Sequence, residues 1–153
     1  MLLKIDGAAM CVVFCLRAII EGRSQAIGGL LKAGGQIDAL GGLVETVRRG
    51  ARRRMSIGAG CSMNATMSEA AFINLIAARQ SGDVALCKTH ASWLVTSPWL
   101  EDVSEAALTA GDKLAEAGLK LAPLRRAPPP RVGDSAAAVR LRTVAPPRQR
   151  YAP

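Results

Sequence analysis

What most constrains this chain is a run of helix start and stop signals between Thr66 and Pro123. Thr66-Met67-Ser68-Glu69 has the form of a capping box. Thr66 can accept a first-turn backbone N–H while Glu69 reaches back to the Thr66 N–H. This predicts a helix from Thr66 to about Gln80, stopped by Ser81-Gly82. Asp83 predicts a second N-cap, with a helix to about Thr96 whose Val84, Cys87, Ala91 and Leu94 mark one apolar face. Ser97-Pro98 opens a third helix, with Ser at the N-cap and Pro at the first helical position. Glu101, Asp102 and Glu105 follow in early turns, where the helix dipole favours anions. Gly111-Asp112 is expected to break this helix and start a fourth, running to Ala122 with Lys120 in its last turn and Pro123 at its end. Short helices with brief breaks predict a small, mainly α antiparallel bundle of about four helices over residues 66–122.

Composition points the same way. Aromatics are 3% of the chain (Phe14, Phe72, Trp93, Trp99 and Tyr151), although half of the residues are hydrophobic. The core must therefore be built from Ala, Leu, Val and Ile, which suits close-packed helices better than a sheet.

The N-terminal segments are less decisive. Residues 8–20 are an apolar run compatible with a buried strand or a buried helix; helix is expected because no partner strand is visible. Within 26–47, Leu30, Ile37 and Val44 recur every seven residues, as do Ala33, Leu40 and Val47, the pattern of a helix seam. The pairs Gly28-Gly29, Gly34-Gly35 and Gly41-Gly42 interrupt it. At roughly 1 kcal/mol for each interior Gly, such a helix needs a partner; the alternative is a flexible loop with apolar beads. The expected layout is thus an apolar, Gly-rich helical segment over 1–54, a linker over 55–65, the helical domain over 66–122 packing with the N-terminal segments, and a disordered tail over 123–153. The tail follows from Pro128-Pro129-Pro130, Pro146-Pro147 and seven arginines.

The formal charge of +8 is unevenly placed. Arg48, Arg49, Arg52, Arg53 and Arg54 make residues 48–54 net +5. Arg125, Arg126, Arg131, Arg140, Arg142, Arg148 and Arg150, against Asp134, make the tail net +6. Every cation in the two clusters is Arg, which suits bidentate phosphate contact. GC-rich codon usage accounts for the same bias equally well.

No residue set with complementary catalytic roles emerges. Cys11 with Cys15, and Cys87 with His90, each share a helix face and together could make a Cys₃His zinc site, but Cys61 is left over and knuckle-forming Gly or Pro is missing. Cys87 and His90 could be a nucleophile and its base, without a third group to orient them. The simpler reading is reduced, buried cysteines and a surface histidine. Gly58-Ala59-Gly60 begins a dinucleotide-like pattern, but Met63 stands where the third glycine belongs. No cofactor, metal or small-molecule substrate is therefore expected. The run Asn74–Lys88 resembles the middle of an ankyrin repeat, which joins two antiparallel helices with a similar Ala-Ala-Arg-x-x-Gly pattern. Those fifteen residues are its extent: the Thr-Pro-Leu-His opening is absent and no second copy follows. A helix-turn-helix hairpin describes the run equally well. As a DNA reader, that hairpin would offer Lys88 as the one cation of its second helix.

The function expected is a non-enzymatic helical interaction protein, cytoplasmic, whose arginines contact a polyanion, nucleic acid foremost, without sequence specificity. Two alternatives stand beside it. In one, residues 7–47 lie on an anionic bilayer, flanked by the first arginine cluster, as in a peripheral membrane protein. In the other, the chain is an obligate subunit whose Gly-rich segment 26–47 folds against a protein partner. No transmembrane span is expected, and Asp6 spoils a signal peptide.

Overall fold

The computed structural model of the chain describes residues 3–24 and 35–124. The heptad positions Leu30 and Ala33, the glycines Gly28, Gly29 and Gly34, and the whole tail from Arg125 onward, with its expected disorder, lie outside the described residues.

The protein is mainly helical. Strand β1 (Leu3–Lys4) precedes α1 (Gly7–Ile20) and α2 (Gln36–Gly50). Strand β2 (Asn64–Ala65) then leads into α3 (Met67–Gln80) and α4 (Val84–Leu94). A 3-10 turn (Ser97–Trp99) feeds α5 (Leu100–Glu116). The two strands pair antiparallel, Leu3 opposite Ala65, and tie the start of the chain to the entry of α3. Helix α3 is central, packing against α1, α4 and α5, while α2 packs against α5 and α1. Ten of its fourteen residues are buried, from Ser68 to Ala78, so it is covered on most of its surface rather than along one stripe.

Local chemistry sets the boundaries. Asp6 accepts the Ala9 N–H at 2.8 Å and caps α1. The capping box at Thr66 is complete: Glu69 N–H donates to Thr66 Oγ1 at 3.2 Å, and Thr66 N–H donates to Glu69 Oε2 at 2.9 Å. Three helices end in the same glycine motif, with Gly22, Gly82 and Gly118 at positive φ. In each, the next residue donates back five positions: Arg23 to Ala18, Asp83 to Ala78, and Leu119 to Leu114. Asp83 then caps α4 by accepting the Leu86 N–H.

Two expectations change. Ser97-Pro98 starts a 3-10 turn that runs into α5, rather than an α-helix directly. The break expected at Gly111-Asp112 is absent, so α3, α4 and α5 are the α-helices of residues 66–122. Gly111 is buried within α5, where an added Cβ would lie 3.2 Å from Gln80 Cγ and 3.7 Å from the Ile76 carbonyl oxygen. Its lack of a side chain serves close approach of α5 to α3, and the stop falls to Gly118. Beyond it the chain folds back along α3. Gln80 Nε2 donates to the Leu119 and Gly111 carbonyls, and Gln80 Oε1 accepts the Leu121 N–H at 2.7 Å. Asn74 binds Leu124 through both its backbone groups.

Of the seam positions described in α2, Leu40, Val44 and Val47 are buried and Ile37 is half-buried against the core; Leu43, outside the two heptad series, is buried with them. Gly41 and Gly42 have nothing within 4 Å of an added Cβ, so their face is open. Gly50 differs, because its Cβ would fall 2.4 Å from Trp99 Cγ.

Candidate functional site

The most elaborate polar arrangement is buried. Arg17, on the inward side of α1, and Glu69, at the first turn of α3, are 1% and 0% exposed. Arg17 Nε donates to Glu69 Oε1 at 2.7 Å and Nη2 donates to Oε2 at 3.0 Å. Nη1 donates to the Ala59 and Ser62 carbonyls, and Nη2 also donates to the Asn64 carbonyl. All five guanidinium N–H groups are therefore used. Glu69 accepts two further bonds, from Gly58 N–H at 3.0 Å and Thr66 N–H at 2.9 Å. Burial alone would push the Glu69 carboxyl up; Arg17 and the Thr66 and Gly58 N–H groups outweigh it and hold the carboxyl below the usual range. Glu69 in turn raises the Arg17 guanidinium. With every donor and acceptor satisfied by protein, the pair holds the 56–64 loop onto α1 and α3 and leaves nothing to bind a substrate.

The surface tells a different story. Arg48 and Arg49 end α2 with side chains 69% and 65% exposed, and both bind Glu45 one turn back. Arg52, Arg53 and Arg54 follow on an exposed segment. That segment runs antiparallel beside the end of α4: Ala51 bridges Val95, Thr96 N–H donates to the Gly50 carbonyl, and Arg52 N–H donates to the Leu94 carbonyl. The end of α4 carries the negative pole of its dipole, a favourable place for cations. Five of the arginines singled out from the sequence are therefore exposed along one stretch of chain, Arg48 and Arg49 at the end of α2 and Arg52, Arg53 and Arg54 just after it. Arg125, Arg126, Arg131, Arg140, Arg142, Arg148 and Arg150 lie outside the described residues.

Sequence reasoning missed the aromatic group beside Arg53. The Arg53 guanidinium lies over the Trp93 ring, 4.3 Å from its centroid. Trp93 also walls a groove of about 360 Å³ between α3 and α4, together with Met67, Ala70, Ala71, His90 and Leu124. Met67 at this groove and Met63 just before β2 are exposed large apolar side chains. No spacing in the sequence joins position 53 to position 93; the pairing of the 51–52 backbone with the end of α4 does so.

All four cysteines are free: Cys15 and Cys87 are buried, Cys11 is half-buried and Cys61 is exposed. Burial, with Cys11 alongside, pushes the Cys15 thiol up to about 12. Burial likewise raises the Cys87 thiol, against a smaller opposing hydrogen bond from Ser104. Burial lowers His90, disfavouring the imidazolium that would stabilise a thiolate. Among the described residues, no three His, Cys, Asp or Glu side chains converge as metal ligands. No family model matches this chain, and neither do any curated protein or solved structure.

Proposed function

We propose that this is a non-enzymatic helical interaction protein that docks on nucleic acid through the phosphate backbone, without reading base sequence. The carrying observation is the run of exposed arginines Arg48, Arg49, Arg52, Arg53 and Arg54, on a stretch of chain held to the bundle by the backbone bonds of residues 50–52 to Leu94–Thr96. Glu45 neutralises only part of it, binding Arg48 and Arg49. Planar guanidinium groups in this density suit phosphate oxygens. The tail arginines add to the same attraction in this reading. The raised Cys15 and Cys87 thiols and a histidine disfavoured as a cation support the non-enzymatic half.

A bilayer reading has less support. No described helix is long and apolar enough to cross a membrane, and α1 places Val12, Val13 and Leu16 in the protein core rather than at a surface.

The test is binding to oligonucleotides across a salt series. Five phosphate-contacting arginines contribute about −3.5 to the slope of log K against log salt on a single strand and about −4.5 on duplex DNA. Replacing the five arginines by Gln should flatten the slope by that amount and weaken binding on all sequences alike. Binding that ignores both salt and the replacements would overturn the proposal.

A further inference from the structure

Trp93 is at once the ring under Arg53 and a wall of the α3–α4 groove. We infer that this corner is a base-stacking site, so that the preferred ligand is single-stranded nucleic acid, one base of which leaves the solvent to pack at Trp93 while Arg52, Arg53 and Arg54 hold the flanking phosphates. The inference rests on the polyanion reading above and adds to it which form of nucleic acid is taken and where a base goes.

Three observations converge on it. First, the groove has the chemistry a base needs. Ala70 and Ala71 line it with small side chains, Met67 and Trp93 with apolar and aromatic ones, and Asn74, Thr89 and His90 with hydrogen-bonding groups. Its volume, about 360 Å³, is at the small end for ligand pockets, which suits one base better than a larger molecule. Second, a cation meets it at Trp93, where Arg53 lies over the ring, with Arg52 and Arg54 next to Arg53 in the chain. Arg52, Arg53 and Arg54 are exposed, and the Arg52 N–H bond to the Leu94 carbonyl at 2.8 Å fixes this segment one residue from Trp93. An apolar slot beside concentrated positive charge complements a nucleotide, which carries an aromatic face and an anion a few ångströms apart. Third, the stacking partner is already in place. The Arg53 guanidinium over the Trp93 indole can share the ring with a base, or exchange with the base on it, at little cost in order. A duplex keeps its bases stacked inside and can use only the arginines.

The experiment compares a 12-nucleotide oligothymidine, an abasic deoxyribose-phosphate strand of equal length, and heparin, each on the full chain. A Trp99→Phe background makes Trp93 the one tryptophan reporter. Oligothymidine should bind about tenfold more tightly than the abasic strand and quench Trp93 emission, as expected for one stacked base. Arg53→Lys, which keeps the charge but not the plane, should erase most of that difference and leave the salt slope unchanged. Trp93→Leu should do the same, with Arg53→Lys deciding the matter if that variant unfolds. Equal binding of the base-bearing and abasic strands would overturn the stacking site while leaving the polyanion reading intact. Failure of all three ligands to bind would overturn both. A base preference with unmoved Trp93 emission, as when the groove is filled by the chain's own C-terminal residues, would overturn the assignment of this groove.

Discussion

Arg17 and Glu69 satisfy one another across the helix pair α1–α3, and the loop between them in sequence supplies every remaining partner. The guanidinium has five donors and all five are used; the carboxylate accepts four bonds, two from Arg17 and two from the Gly58 and Thr66 backbone. A buried pair of this kind owes little to Coulomb attraction alone, because both ions lose their hydration. Its consequence is positional. It forces the 56–64 loop, which has no helix of its own, into one conformation against the bundle.

Removing one ion should therefore be worse than removing both. Glu69→Ala strands the Arg17 charge in the core and should destabilise the protein by about 3–5 kcal/mol. Arg17→Met should cost a similar amount, by stranding Glu69 and three loop carbonyls. The double variant should be less destabilised than the sum of the two by more than about 1 kcal/mol. Urea melts of the four proteins read this cycle directly, and additive losses would show that the two groups act independently.

Acid should unfold the protein through the same carboxylate. The folded Glu69 pKa lies below the ordinary glutamate value, so the unfolded chain takes up the proton first. The stabilisation is fully present above the ordinary value of about 4.3 and is lost as pH falls from there through the depressed folded value. Stability measured by urea melts should drop over this window. Glu69→Gln should be less stable at neutral pH and should lose that share of the pH dependence. An unchanged acid limb in Glu69→Gln would assign the effect to other carboxylates.

Much of this bundle was legible because helix ends are local events. The Thr66-Glu69 box, the Ser81-Gly82 stop and the Asp83 cap are each decided by residues within one turn, and each stands where the sequence placed it. Gly111 was misread because a helix glycine means a stop or a close contact, and only the presence of Gln80 of α3 beside it tells which. Gly118 carried a usable signal: Leu119 after it and Leu114 before it form the apolar pair that accompanies this kind of helix end. Arg17 also left a trace, as the lone charge within the apolar run of α1. Its partner sits 52 residues away, and Glu69 already had a local explanation as a capping residue, so nothing in the sequence joined them. The site at Trp93 was hidden for a similar reason, since Arg53 reaches it only through a backbone pairing of distant segments.

The glycines of α2 should separate by context. Gly42→Ala adds a methyl where nothing lies within 4 Å, inside a helix, and should stabilise by about 0.5–1 kcal/mol. Gly50→Ala drives its methyl to 2.4 Å from Trp99 Cγ and should destabilise by about 1–3 kcal/mol, because the indole is packed against the core and must move. Paired thermal melts check the two signs. Equal effects at both positions would mean that Trp99 does not rest on Gly50.

Alkali should act through Cys15. Burial holds its folded pKa at about 12, while an exposed thiol in the unfolded chain ionises near ~8.5. The unfolded state thus loses its proton first as pH rises, and stability falls through the interval between these values. Below it the contribution is fully present, the opposite sense to Glu69. Cys15→Val keeps an apolar group of similar size at a fully buried position and removes the titration. Its stability should match the parent near pH 7 within about 1.5 kcal/mol and exceed it by pH 10 to 11. Urea melts under reducing conditions at the two pH values check this. A parent and variant that decline in parallel would trace the alkaline loss to other groups, and would show that the Cys15 thiol reaches solvent before the bundle opens.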